Sequence, residues 1–345
     1  MALVPGRLHA LLAVGLAHFF CSTVAADVAA GRAALNAGDN ETAFREFEWE
    51  AQGGDPVAMN NLGVLYSRGL GVKRDYKEAV RWFRHAAERG VAAAQYNIGM
   101  SYLRGQGVEK SPILAMQWLS KSAAQGDKEA QFQVGVSFAD GRGVAQDYKA
   151  AAEWFQKSAA QGMSSAQYNL GTFHSLGLGV KKDPVEALTW YLKAAQAGHP
   201  EAQLVLGQRY MLGEGAAKDP AQAAEWFRKA ADQDLAPAQL NLGLMYRDGQ
   251  GIATNPEEGA KWVRRAAEQG LEVAQYSLGS LYREGKGVPR DPRQAYAWFD
   301  TSGANGYQAA WKERDEVGKA LDAVSLGEAK RLATEYLLKY RRTAP

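Results

Sequence analysis

Few residues in this chain could do chemistry. Beyond position 26 there are three histidines, His85, His174 and His199, and no cysteine, because the single Cys21 lies before that point. A histidine can ligate metal or move a proton, but a ligand pair needs matched spacing, and these three stand in separate stretches. A row of oxygen-bearing residues, Asp75, Ser111, Asp147, Asp183, Asp219, Asn255 and Asp291, could in principle gather a metal. Each is equally a type that caps a helix N-terminus, and Pro112, Pro184, Pro220, Pro256 and Pro292 follow five of them at a first helical position. Glu78, Glu186 and Glu258, three residues on, complete capping boxes. Gly69 and Gly71, with their copies Gly105/Gly107, Gly141/Gly143 and Gly177/Gly179, share glycines with nucleotide-binding loops. Those loops follow a strand, and these follow helical patterns, so they read as tight turns closed by a buried valine. No Ser/His/Asp or Cys/His arrangement can be assembled. No cofactor and no metal is expected, and the chain reads as non-enzymatic.

What positions these residues is a repeat. Gly63 returns as Gly99, Gly135, Gly171, Gly207, Gly243 and Gly279, and Trp82 returns as Trp118, Trp154, Trp190, Trp226, Trp262 and Trp298. Both ladders step by 36 residues without a slip. A fixed period in this range marks stacked helix pairs. Helix A of the first copy runs over about 56–67, with Ala58, Leu62 and Tyr66 on one stripe. Gly63 beside the stripe implies a close approach, since glycine in mid-helix costs about 1 kcal/mol relative to alanine. Helix B starts at the Asp75 cap and alternates small and bulky residues, Ala79, Trp82, Phe83, Ala86 and Ala87. Gly90, Gly126, Gly162, Gly198, Gly270 and Gly306 end the B helices; Asp234 interrupts that row and is expected to weaken the stop there.

The ends differ from the repeats. Arg7, the apolar run 8–20 and the small residues 21–26 form a secretory signal, with cleavage expected after Ala26. The apolar run is too short to span a bilayer. Residues 27–54 read as a shortened capping helix pair, 55–306 as seven repeats, and 307–345 as C-terminal capping helices, the last opened by a capping box at Ser325 and Glu328. Forty basic and 38 acidic residues leave a net charge of +2, which gives no reason to expect nucleic acid or an anionic membrane as partner. The fold class is all-α, the location periplasmic or secreted, and the mature chain, without cysteine, has no disulfide to stabilise it.

The motif A-x-x-x-L-G-x-x-Y-x-x-G-x-G-V-x-x-D-x-x-x-A-x-x-W-F-x-x-A-A-x-x-G, read from Ala58 to Gly90 and its copies, resembles the Sel1-like repeat, a relative of the tetratricopeptide repeat. The resemblance implies a right-handed α-solenoid whose A helices line a concave face, and an adaptor or scaffold role. A cysteine-rich branch of the family has been linked to β-lactam binding. This chain lacks those cysteines and has no Ser-x-x-Lys acylation motif, so that activity does not carry over.

A partner would then meet the side of helix A opposite the stripe. One row there reads Asn60, Tyr96, Phe132, Tyr168, Leu204, Leu240 and Tyr276, and the next reads Asn61, Asn97, Gln133, Asn169, Val205, Asn241 and Ser277. Thr172, Gln208, Arg247 and Arg283 stand at more variable positions beside them. Aromatic faces with amide donors and acceptors suit the grip of an extended peptide. The same rows could serve only to pack one repeat on the next. His174 takes the place of Tyr66 in its own repeat and reads as an aromatic core substitute. The expected function is an exported, non-enzymatic scaffold that binds a protein or peptide. Two alternatives are an enzyme or binder for cell-wall or β-lactam-like ligands, and a secreted factor that engages surface proteins of another cell.

Overall fold

The computed structural model describes residues 28–340, and the leader read at 1–26 lies outside them. Among the described residues there are eighteen helices and no strand. The chain forms two compact units, one ending at Ser122 and one beginning at Ala123. The first holds α1 (Ala29–Asn36), α2 (Asn40–Gln52), α3 (Pro56–Arg68), α4 (Tyr76–Glu88), α5 (Ala92–Arg104) and nearly all of α6 (Pro112–Ala124). The second holds α7 (Lys128–Asp140), α8 (Tyr148–Ala160), α9 (Ser164–Leu176), α10 (Pro184–Gln196), α11 (Pro200–Leu212), α12 (Pro220–Asp232), α13 (Ala236–Asp248), α14 (Pro256–Glu268), α15 (Glu272–Glu284), α16 (Pro292–Ala304), α17 (Ala310–Lys319) and α18 (Ala323–Lys339). From α3 to α16 the odd helices are A helices and the even ones B helices, each 13 residues long. An A helix packs on its own B helix and on the B helix before it, as α3 does on α4 and α2 and α13 does on α14 and α12. The fold is an all-α solenoid of helix pairs.

The caps explain why the helices start where they do. Asp75 accepts from Lys77 N and Glu78 N at 2.8 and 3.1 Å, and Asp147, Asp183, Asp219 and Asp291 repeat the pattern. The capping boxes expected at Glu78, Glu186 and Glu258 do not close. The cap N–H of Asp75, Asp183 and Asn255 already donates to the carbonyl of Tyr66, His174 and Tyr246, so the glutamate has nothing to reach back for. Glu78 and Glu258 instead pair with Arg81 and Lys261 one turn on. At Asp234 the helix stops in the same place as in the other repeats. Asp234 takes the left-handed conformation itself, at φ 61°, and its carboxylate accepts from Arg265 and Gln239.

Two glycine rows are contacts. A Cβ on Gly63 would lie 2.7 Å from the Phe83 ring of its own B helix, and Gly207 meets Phe227 in the same way. The second loop glycine touches the preceding repeat: a Cβ on Gly107 would lie 2.1 Å from the Tyr76 carbonyl oxygen, at the start of α4. The loops therefore stack repeats as well as connect helices.

A buried amide ladder closes each junction. Gln95, Gln131, Gln167, Gln203, Gln239 and Gln275 are buried at A-helix positions. Each donates Nε2 to a last-turn carbonyl of the preceding B helix, from Ala87 to Ala267, at 3.1–3.2 Å. A second amide, 30 residues on, donates to the glutamine oxygen: Gln161 to Gln131, Gln233 to Gln203 and Gln269 to Gln239 at 2.8 Å, and Asn305 to Gln275 at 2.9 Å. The fourth repeat has Ala197 at that place, and Gln167 Oε1 is buried with no hydrogen-bond partner.

At the N-terminal end Gly31 faces the Phe47 ring, with a Cβ at 2.6 Å, so α1 and α2 reproduce the glycine–aromatic contact of a full pair. At the other end the helix expected to start at Ser325 starts a turn earlier. Asp322 is its N-cap and accepts the Ser325 N–H at 2.9 Å, a carboxylate acceptor outcompeting the hydroxyl that follows. α18 packs on α16 and sets Tyr336 and Tyr340 on Trp298, at ring distances of 4.6 and 5.4 Å.

The ladder generates paired outcomes in urea unfolding. Gln239→Leu removes the acceptor of the Gln269 amide and one of the two donors to the Ala231 carbonyl, which keeps the Asp234 N–H, and is expected to cost about 1 kcal/mol. Ala197→Gln supplies the missing donor to Gln167 and is expected to stabilise by about 1 kcal/mol. Loss of stability in the second variant would contradict the ladder as described.

Candidate partner-binding surface

The buried arc of an A helix is wider than its stripe. In α3, Ala58, Met59, Asn60, Leu62, Gly63 and Leu65 are all buried, because the helix lies between two B helices. The aromatic row of the opposite face is drawn into this packing. The Phe132 ring lies 5.8 Å from Phe155, Tyr168 lies 5.7 Å from Tyr191, and Tyr276 lies 5.4 Å from Phe299 and 5.0 Å from Tyr307. Tyr96 is half-buried on α5. These side chains are not the open platform that the spacing predicts. They are wedged between an A helix and its own B helix, leaving their edges at the surface.

The amide row divides. Asn97 donates to Asn60 Oδ1 at 2.9 Å, and Asn169 donates to the Ser165 carbonyl of its own helix at 2.8 Å. Asn61, Gln133 and Asn241 are half-buried, and among the described residues their side-chain amides have no hydrogen-bond partner. Gln208 is exposed. Thr172 donates to the Tyr168 carbonyl and accepts from the Tyr191 hydroxyl, both at 3.1 Å. The two arginines are committed to neighbouring acids: Arg247 is bidentate to Asp248 at 2.6 Å, and Arg283 holds Glu313. Arg247, Arg283, Asn97 and Asn169 thus have intramolecular work, which the 36-residue spacing alone does not disclose.

The fourth and fifth repeats bring several titratable side chains together: Tyr168, Tyr191, His199 and Glu201. Burial pushes the Tyr168 hydroxyl up to about 12, with Tyr191 and Glu201 adding to the effect. The His199 imidazole stacks on Tyr168 at 4.9 Å and caps α11, where Ala202 N donates to its Nδ1 at 3.4 Å. Glu201 Oε2 lies 3.2 Å from the same nitrogen. Desolvation outweighs the pull of that carboxylate and holds His199 below the usual imidazole range, so the ring is neutral and its Nδ1 lone pair serves the cap. Arg209 donates to Ser175 Oγ at 2.6 Å and pairs with Glu214. His174 is half-buried with Nδ1 unpartnered, and His85 is exposed beside Trp82. Among the described residues no group of three or more His, Cys, Asp or Glu side chains is placed to hold a metal ion, and no helix is long and apolar enough to cross a membrane.

The B helices carry a different pattern. Lys121, Lys157, Lys193 and Lys229 each lie 3.9–4.2 Å above the tryptophan ring three residues earlier, and Arg265 lies 4.7 Å above Trp262. These cations shield the aromatic row from solvent.

Comparison with known families decides the class. The Sel1 repeat matches seven times, at residues 56–91, 92–127, 128–163, 164–199, 200–235, 236–271 and 273–307. The chain belongs to the Sel1 repeat family. A Sel1 repeat protein from Oxalobacter formigenes is 34% identical, with 70% of this chain and 97% of that one aligned at a TM-score of 0.64. A protective antigen of uropathogenic Escherichia coli with an SLR fold is 32% identical over 91% of this chain and 84% of that one, with a TM-score of 0.44. A comparison with curated proteins finds no match. Sel1 repeat proteins are typically non-catalytic scaffolds, and the fold commonly mediates contact between proteins.

Two features of this Sel1 array escape the spacing argument. The glutamine ladder recurs as plainly as the glycine ladder, in an Ala-Gln pair at each A helix from Ala94-Gln95 onward, and that recurrence is its signal. The His199 cap has no periodic signature, since no other repeat has histidine there, and its Glu201 neighbour recurs only as Glu129. A pH dependence follows. A depressed histidine adds stability that is full above the unfolded value of about 6.5 and is lost as pH falls through the folded one. His199→Asn keeps a capping side chain and removes the titration. Denaturant unfolding from about pH 7 to about pH 5.5 is expected to show the wild type losing more stability than the variant.

Proposed function

We propose that this Sel1 repeat protein is an exported, non-catalytic adaptor that holds a protein or peptide on its A-helix face. One contrast carries the reading. The glutamines two positions before the amide row are buried and used at the junctions, Gln167 through its nitrogen alone. Within the second unit, Gln133 and Asn241 keep free amides at the surface. An amide that packs repeats together has a partner inside the chain; an amide that offers both donor and acceptor at the surface is suited to backbone groups of a bound segment. The half-buried aromatic edges of Phe132, Tyr168 and Tyr276 flank that row and supply apolar contact. Export is supported by the charged start, apolar run and small residues of 1–26.

Tagged protein purified from the periplasm or medium should retain a partner in crosslinking capture. The Gln133→Ala and Asn241→Ala pair is expected to reduce recovery roughly tenfold without changing thermal stability. Equal recovery by wild type and variant would place the contact elsewhere. Fractionation should find the mature chain outside the cytosol, starting at position 27; a cytosolic chain that keeps 1–26 would overturn the export reading.

A further inference from the structure

Basic residues gather where the first two repeats turn from A helix to B helix. Residues 68–84 hold six Lys or Arg against Asp75 and Glu78, and the copy at 104–120 holds Arg104 and Lys110 against Glu109. The two stretches together carry +5, whereas each copy from 140–156 to 284–300 carries zero or −1. Lys73, Arg74, Lys77, Arg104 and Lys110 are exposed and among the described residues have no ion-pair partner. Of the acids, Asp75 accepts from Lys77 N and Glu78 N, and Glu78 pairs with Arg81. The second loop lies on the start of α4, where Gly107 meets the Tyr76 carbonyl next to Lys77, so the cations of both repeats share one edge. Adding Asp39, Glu41 and Glu48 of the preceding helix pair leaves that edge positive, at +2.

A recess with an apolar wall adjoins these cations. Tyr102, Val108, Glu109, Lys110, Ser111 and Leu114 line a cavity of about 440 Å³. Arg84 donates to the Tyr102 hydroxyl at 3.2 Å, which adds a second guanidinium or ammonium group beside it. Leu114 is 38% exposed, and Ile113, next to it in the first turn of α6, is 62% exposed. The same two places read Lys77 and Glu78 in α4, Lys149 and Ala150 in α8, and Val185 and Glu186 in α10. Those helices have the same 13 residues as α6, so neither bulky side chain is needed to form it.

We propose that the loop edge of the first two repeats is a docking site for an acidic segment of a partner protein, which lays one bulky apolar side chain into the recess. The net positive charge selects the sign of the occupant. Its carboxylates meet Lys73, Arg74, Lys77 and Lys110, and its apolar side chain lies against Tyr102, Val108 and Leu114 with Ile113 over it. The Glu109 carboxylate in the wall can accept a backbone N–H of the segment. That group also separates a polypeptide from other anions. A flat anionic membrane would bury Glu109 against its own charge, and a nucleic acid brings no aliphatic side chain for Ile113 and Leu114. The site is independent of the A-helix reading, because it uses loop residues and B-helix starts that the amide row does not include.

Fluorescence anisotropy with the purified full-length chain tests this with three labelled synthetic peptides. One carries glutamates around a central leucine, the second has alanine for the leucine, and the third has lysines for the glutamates. Ile113→Lys with Leu114→Ala removes the apolar contact and adds a cation; Lys149 and Ala150 hold the same places in α8, so the helix tolerates the pair. Charge attraction alone would tighten the Glu/Leu peptide on this variant, whereas the proposal expects a roughly tenfold loss. Lys73→Ala, Arg74→Gln and Lys77→Ala together, residues that stand at these places as Ala145, Gln146 and Ala221, should cause a similar loss and a weaker salt dependence. Circular dichroism melting checks that both variants fold, and the Gln133→Ala and Asn241→Ala pair should bind as wild type. The proposal is overturned if the Glu/Leu peptide does not bind saturably, if either control peptide binds as well, or if either edge variant binds it unchanged. It is equally overturned if the edge variants instead abolish binding to vesicles of anionic phospholipid, or if only the Gln133 and Asn241 pair loses the peptide, which would assign it to the A-helix face.

Discussion

A buried glutamine amide donating to the last-turn carbonyl of the helix before it holds the most weight in this protein. The final carbonyls of an α-helix have no partner within the helix, and stacking the next repeat on a B helix removes water from them. Here each such carbonyl takes the backbone N–H three residues on, as Ala231 does from Asp234 at 3.0 Å, and the glutamine fills its second lone pair with a bond that contributes about 1 kcal/mol. A single side chain thus ties two repeats together, and its oxygen then takes the second amide 30 residues on. Apolar packing by Leu170, Leu206, Leu242 and Leu278 supplies the stabilisation. It is non-directional, and the amides fix how one pair sits on the next. The chain without cysteine beyond position 26 relies on this combination.

Much of the fold was legible because a 36-residue period leaves little freedom. The Asp75 row, the Gly63 row and the Trp82 row each do in space what their residue types imply. The capping boxes at Glu78, Glu186 and Glu258 misled because a box is a local motif, and the cap N–H there is taken by a carbonyl nine residues back, as Asp75 N is by Tyr66. The start of α18 was misplaced for a related reason: Asp322 and Ser325 are both good caps, and only the competition between them decides the boundary.

The candidate surface was less legible. A stripe of Ala58, Leu62 and Tyr66 describes a helix with one neighbour, and an A helix has two. The arc on the far side of the stripe was therefore partly core, which is why Phe132, Tyr168 and Tyr276 turned inward. Whether an amide is free depends on groups far along the chain, as with Asn97 and Asn60, 37 residues apart. Leu176 and Leu212, exposed where other A helices carry Arg68, Arg104, Asp140, Asp248 or Glu284, were readable as departures from a polar row. Departures inform about function for the same reason that the recurring residues do not: what recurs is needed for stacking.

The seat of α18 on Trp298 sets a rule for how such an array can change length. In the preceding B helices a lysine or arginine covers the tryptophan. At Trp298 the equivalent residue is Thr301, fully buried, and the tyrosines of α18 lie on the ring instead. Interior repeats share their glycine contacts and, apart from the first, with Met59 and Arg89, and the one with Ala197, their pair of amides, so whole repeats could be duplicated or deleted among the others with each new joint already compatible. The last repeat is not exchangeable in this way. A copy of an interior repeat moved to its place would bring an ammonium group to the spot where Tyr336 stacks, and the chain would lose its terminal cover. Growth and loss of repeats are thereby confined to the interior, and the end of the array is fixed in kind though not in number.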